Sequence, residues 1–301
     1  MNSRSAKSRP LKTRKIWRNI EATGLIAFGS LAGCSGEGNE HNPAASGTDA
    51  AHIVEGATST GEGIGEGIGE GIGEGIGEGA GEGEGAMSSA LTAADDVAYL
   101  TQLGLMRGHL WVGHQLYQNN LYTMAITHMK HPKAELYSTL IEPFSVRRVE
   151  GFAAELETLA SSVENKSPSE EVEAAYTALT SAIKRSELGA NTVSPRIVGE
   201  TIVALLRTAG EEYAIGVVDG KINNLHEYQD ALGFTKIAGE WSRSSAFTNT
   251  SEATAAAARI QSILTELEEL WPALNPKGAL PYRAAQLFGA AASVEIETLG
   301  L

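Results

Sequence analysis

The chain has 301 residues, with 23 Lys and Arg against 37 Asp and Glu and a formal net charge of −14. So acidic a surface does not track phosphate backbones, which argues against nucleic acid as a partner. A single cysteine excludes an intramolecular disulfide and a C-x-x-C-H attachment site for covalent haem. No nucleophile elbow, P-loop or dinucleotide fingerprint is present, so an enzyme is not expected.

The first 20 residues carry Arg4, Lys7, Arg9, Lys12, Arg14, Lys15 and Arg18 and no acid. A modest apolar run from Ala22 to Ala32 follows, ending in Leu31-Ala32-Gly33-Cys34. Positive region, short apolar region and small residues at the cut are the order of an export signal. The run is far shorter than the roughly 20 apolar residues that span a bilayer. The tetrad resembles the lipobox of bacterial lipoproteins, in which the cysteine becomes the acylated, palmitate-bearing N-terminus. That resemblance implies a signal peptide over 1–33 and lipidation at Cys34. Ser35 follows the cysteine rather than Asp, which by the same resemblance favours an outer-membrane anchor facing the periplasm.

Removal of residues 1–33 leaves 16 bases against 36 acids. Residues 34–89 hold 11 acids and no base, including the period-four repeat Gly-Glu-Gly-Ile from Gly61 to Ile76. Alternate glycines lose too much backbone entropy to form a helix or strand alone, and the glutamates repel one another. The expectation is a disordered tether over 34–89, with a reach of about 40 Å by the statistics of Gly-rich chains.

From Leu91 onward the apolar period is helical, so 90–301 is expected to be an all-α bundle. Eight helices are predicted, at 92–118, 121–141 (bent at Pro132), 146–163, 168–187, 195–218, 224–245, 251–270 and 279–298. Short connections imply antiparallel neighbours and two packed four-helix groups, 92–188 and 195–298.

Two concentrations of metal-ligating residues stand out. In helix 195–218 the inward stripe Val198, Ile202, Leu205, Ala209 runs on to Glu212. In helix 224–245 the face of Ala231, Phe234, Ala238 and Trp241 steps back to Glu227. Both acids lie beside the turn that begins at Asp219, so Glu212, Asp219 and Glu227 are candidate ligands of a hard metal between facing helices. Two buried carboxylates need a shared proton, a lysine or a metal; the other reading is that they sit at the wet end of the bundle. The second concentration is His109, His114, His128 and His131, with Glu135 four residues after His131. His109 and His114 are about 140° apart around a helix and cannot share an ion without a partner helix. Gly108 and Gly113 allow helices to approach closely. His226-Glu227-Tyr228-Gln229-Asp230 looks like a zinc-protease helix, but Asp230 replaces the second histidine and no third ligand is obvious, so a hydrolase is not expected.

The run Glu211-Glu212-Tyr213, Val218-Asp219-Gly220-Lys221-Ile222-Asn223, Glu227-Tyr228-Gln229-Asp230 and Phe234 resembles the helical periplasmic region of bacterial iron permeases of the oxidase-coupled type, over about 195–240. The transmembrane Arg-Glu-x-x-Glu motif of those permeases is absent, so the chain is not the transporter. The exported two-bundle design is similar to imelysin-like iron-uptake proteins, although their Gly-x-His-x-x-Glu motif is not matched. These resemblances imply a role for Glu212, Asp219 and Glu227 in handling iron or another cation. The expected function is a membrane-tethered, non-enzymatic metal-binding protein serving uptake, with iron, copper or zinc as cofactor and a metal-uptake protein as partner. The alternative is an interaction bundle of the cell envelope that binds no metal.

Overall fold

The structure, a computed structural model, describes residues 87–280 and 283–301. Cys34, the export signal and nearly all of the Gly-Glu segment lie outside the described residues. Those described form an α-helical bundle whose one sheet among them is a two-residue hairpin.

Short helix α1 (Ser89–Ala94) is capped by Ser88, and Asp95 ends it while capping α2 (Asp96–Gln118) through a 2.7 Å bond from the Ala98 amide. An acidic or hydroxyl side chain accepting from an early amide is what starts a helix. In α2, 19 of 23 residues are buried, so it has no solvent face. A helix apolar all round belongs at the centre of a bundle, and α2 packs against α3, α6, α7 and α8.

The predicted bend at Pro132 is present. Helix α3 (Tyr122–His131) passes into a π turn, Pro132–Leu136, and then into α4 (Tyr137–Arg147). Proline has no amide to donate, and the widened turn accommodates its ring. The break expected between the helices predicted at 121–141 and 146–163 is absent: Pro143 lies inside α4, and the chain turns at Arg148, whose φ is 55°. The next helix therefore starts at Ala153 rather than 146, giving α5 (Ala153–Glu164), followed by α6 (Ser169–Glu187).

Helix α7 (Pro195–Gly216) begins with Ser194 as cap and proline at its first position, where the missing amide costs nothing. It is followed by β1 (Val217–Val218) and β2 (Lys221–Ile222), paired antiparallel. Asp219 and Gly220 have φ of 51° and 71°, the left-handed conformations a two-residue hairpin turn demands. Helix α8 (Leu225–Trp241), capped by Asn224, runs back along α7. Helix α9 (Ser251–Glu266) extends as a 3-10 turn to Leu270, and α10 (Ala285–Thr298) covers α7. The stripes Val198, Ile202, Leu205, Ala209 and Ala231, Phe234, Ala238, Trp241 are all buried. The two expected halves meet through α2, which joins α7 and α8 in the core.

Gly108 of α2 and Gly233 of α8 mark that junction. A methyl on Gly108 would lie 2.5 Å from the Phe234 ring, and one on Gly233 would lie 2.5 Å from the Gly108 carbonyl oxygen. The backbones cross in contact, and only glycine fits on either side.

At the other end of α2, Arg147 donates to Asp96 at 2.5 Å and to the Thr92 and Asp95 carbonyls. Burial opposes the Asp96 charge, but Arg147 and the amides of Asn191 and Thr192 hold its carboxyl below the usual value of 3.8. A carboxylate with a depressed folded pKa adds stability above its unfolded pKa that is lost as pH falls through the folded one. Asp96→Asn is therefore expected to destabilise the protein by about 3 kcal/mol at pH 7, the order found on breaking a buried pair. Urea denaturation should show that difference shrinking as pH falls below about 4, where the unfolded chain's carboxyl takes up a proton, and lost once the folded carboxyl is protonated as well.

Candidate metal centre

Three helices bring a ring of polar groups into this core. His109 comes from α2, one residue past the Gly108 crossing; His128 and His131 end α3; His226, Glu227, Gln229 and Asp230 lie on the first turns of α8. His109, His128 and Asp230 are fully buried.

Asp230 is the hub. Its Oδ1 lies 2.6 Å from His109 Nδ1 and 3.1 Å from His128 Nδ1, and its Oδ2 lies 2.9 Å from His226 Nδ1. Burial would raise the Asp230 carboxyl, yet the His109 and His128 rings hold it well below the usual carboxylate range. Burial also lowers His226, but Asp230 and Glu227 push it up to about 10. His128 is the opposite case: burial outweighs Asp230 and lowers it.

The ring of His128 is oriented by its neighbour. Gln229 donates its Nε2 to the Leu274 carbonyl at 2.8 Å, which turns its Oε1 to His128 Nε2 at 2.9 Å. His128 Nε2 thus donates to the amide oxygen, and its Nδ1 lies 3.1 Å from Asp230 Oδ1. A ligating histidine whose other nitrogen donates to a fixed amide is the arrangement metal sites use to orient the ring.

Two groups have ligand atoms within 4.8 Å of one another: His109, His128 and Asp230, and His226, Glu227 and Asp230. His131 stands beside them, its ring 5.4 Å from that of His109 and 5.2 Å from that of His226, and its Nε2 is 3.1 Å from Glu135 across the π turn.

Of the sequence candidates, His109, His128, His131, Glu135 and Glu227 thus fall in or beside one cluster. Three do not join the ligand groups. His114 pairs with Glu173 of α6 at 2.7 Å and stacks on Tyr176 at 4.1 Å, because five residues along α2 turn it to another neighbour. Asp219 is exposed in the hairpin turn, where its left-handed backbone, not ligation, explains the residue. Glu212 is buried in α7 but belongs to neither group. Sequence reasoning missed His226 and Asp230. Their i, i+4 spacing was visible, but as possible ligands the pair was weighed only as part of a protease helix, which Asp230 does not fit.

Fold and site define an all-α bundle with a buried histidine–carboxylate cluster suited to a metal ion. Residues 189–298, spanning α7 to α10, match the family model of the iron permease-associated 4-helix bundle domain. The resemblance of the C-terminal helices to the periplasmic region of iron permeases therefore holds. No curated protein and no solved structure matches the chain. The matched segment supplies His226, Glu227 and Asp230, while His109, His128 and His131 come from α2 and α3 outside it.

In metal-free protein, Asp230→Asn is expected to return His226 from about 10 towards the ordinary histidine value of about 6.5. An NMR titration of the ring protons reads this directly, and an unchanged His226 would mean that Asp230 does not organise the cluster.

Proposed function

We propose that this protein is a non-enzymatic metal-binding accessory of iron uptake, held on the periplasmic side of a membrane by a lipid on Cys34. The carrying observation is the convergence of His109 Nδ1 and His128 Nδ1 on Asp230 Oδ1, at 2.6 and 3.1 Å, in a water-excluded core. Imidazole and carboxylate together suit iron, copper and zinc. The match to an iron permease-associated domain favours iron and a permease or related uptake protein as partner. None of the described helices is long and apolar enough to cross a membrane, so the reading rests the attachment on the lipobox and the Gly-Glu tether.

The full-length protein, stripped with chelator and dialysed against Fe(II), Cu(II) or Zn(II), should retain at least one of these metals stoichiometrically. Binding at a hundred times the dissociation constant adds about 2.7 kcal/mol, a rise in Tm of roughly 5–10 °C for a domain of this size. Combining His128→Ala with Asp230→Ala should abolish both effects. No bound metal and an unmoved Tm would leave the bundle as an interaction module.

Attachment has its own test. A palmitate analogue fed to expressing bacteria should label the wild-type protein and not Cys34→Ser, and the variant should leave the membrane fraction. A Cys34→Ser protein that stays with the membrane would overturn the lipid anchor.

A further inference from the structure

The metal-binding reading treats the cluster as one site, but its geometry does not fit a single ion. His128 and His226 stack with ring centroids 4.1 Å apart and planes only 11° from parallel. A histidine nitrogen binds a metal in the plane of its own ring, at about 2.0–2.1 Å. Two nearly parallel planes separated by a stacking distance share no point within reach of both rings, so no single ion can be ligated head-on by both. Yet both Nδ1 atoms face the same carboxylate, one at each oxygen: His128 at Oδ1 and His226 at Oδ2.

Resting on that reading, we propose that the cluster binds two metal ions bridged by the Asp230 carboxylate. One ion sits among His109, His128 and Asp230 Oδ1, and the other among His226, Glu227 and Asp230 Oδ2. The stacking distance of 4.1 Å sets the spacing, because each ion stays near the plane of its own ring. It falls close to the separation of about 3.5–4 Å found in two-metal sites.

The second position has independent support. Glu227 is buried, and its Oε2 lies 3.8 Å from His226 Nδ1 with no hydrogen-bond partner among the described residues. Its other oxygen accepts from Asn224 Nδ2 at 3.1 Å, which fixes the carboxylate with Oε2 turned to the cluster. The distances of 2.6–3.1 Å from the three ring nitrogens to Asp230 are close to the edges of an octahedral or tetrahedral sphere, roughly 2.9–3.3 Å for bonds of about 2 Å. The two halves are also unlike: the first is fully buried, while His226 is partly accessible. The ion beside His226 is therefore the exchangeable one.

The test counts ions. Chelator-stripped full-length protein is equilibrated with Co(II), and the metal retained through gel filtration is compared between the wild type and Asp230→Ala. The wild type should hold two more Co(II) per chain. Joining His226→Ala to Glu227→Gln should remove one ion, and His128→Ala should remove the other. A difference of one ion would overturn the bridged pair and leave the metal-binding reading standing; no difference would overturn both. A measurement on the unaltered protein guards against variants that fail to fold. Loaded with Cu(II), it should give the half-field electron paramagnetic resonance signal of two ions about 4 Å apart, and a spectrum of isolated ions alone would refute the pair.

Discussion

Everything in the candidate metal centre depends on how closely α2 can approach α8. The contact is backbone to backbone at Gly108 and Gly233, with 2.5 Å from a would-be Gly233 methyl to the Gly108 oxygen. His109 follows Gly108 by one residue, and Asp230 precedes Gly233 by three, less than one helical turn. Closing the crossing therefore brings His109 Nδ1 to 2.6 Å from Asp230 and sets Phe234 edge-on against the His109 ring at 5.0 Å. A side chain at either glycine would part the helices and open the cluster to water.

That closeness has a cost in electrostatics. Removing a carboxylate and several imidazoles from water is unfavourable unless their charges and lone pairs are matched. Without metal, part of the compensation is visible: Asp230 stays ionised and His226 is pushed up to about 10. Under the metal-binding proposal, a cation among these groups completes the compensation, replacing protons as it does so. The family match covers only the helices that supply Asp230, His226 and Glu227. Helices α2 and α3 contribute three imidazoles to that carboxylate-bearing edge, which turns a helical bundle into a nitrogen-rich ligand set.

Much of this was legible in the sequence. The 3.6-residue stripes located the buried faces of α7 and α8, and the density of histidines between 109 and 131 marked the segment that supplies three of the clustered imidazoles. The turn near Asp219-Gly220 was read as a connection between antiparallel helices, which it is, with a short hairpin in addition. What periodicity does not carry is rotation between elements. It put His114 and His109 on one helix without saying that α6 would take one and α8 the other. It extended an inward stripe to Glu212 without fixing which neighbour that carboxylate meets. The π turn at Pro132, which sets His131 near His226, depends on hydrogen bonds that no residue pattern announces. Asp230 was passed over for a different reason: a motif was judged against one chemistry, while the spacing itself, His226 to Asp230 on one helical face, suited another.

X-ray absorption at the metal edge of the zinc-loaded, full-length protein tests the central claim most directly, because it reports ligand identity without altering a residue. The account predicts nitrogen and oxygen neighbours at about 2.0–2.1 Å together with the outer-ring scattering of at least two imidazoles. A sphere of oxygens alone, with no imidazole scattering, would place the metal on surface carboxylates and contradict it.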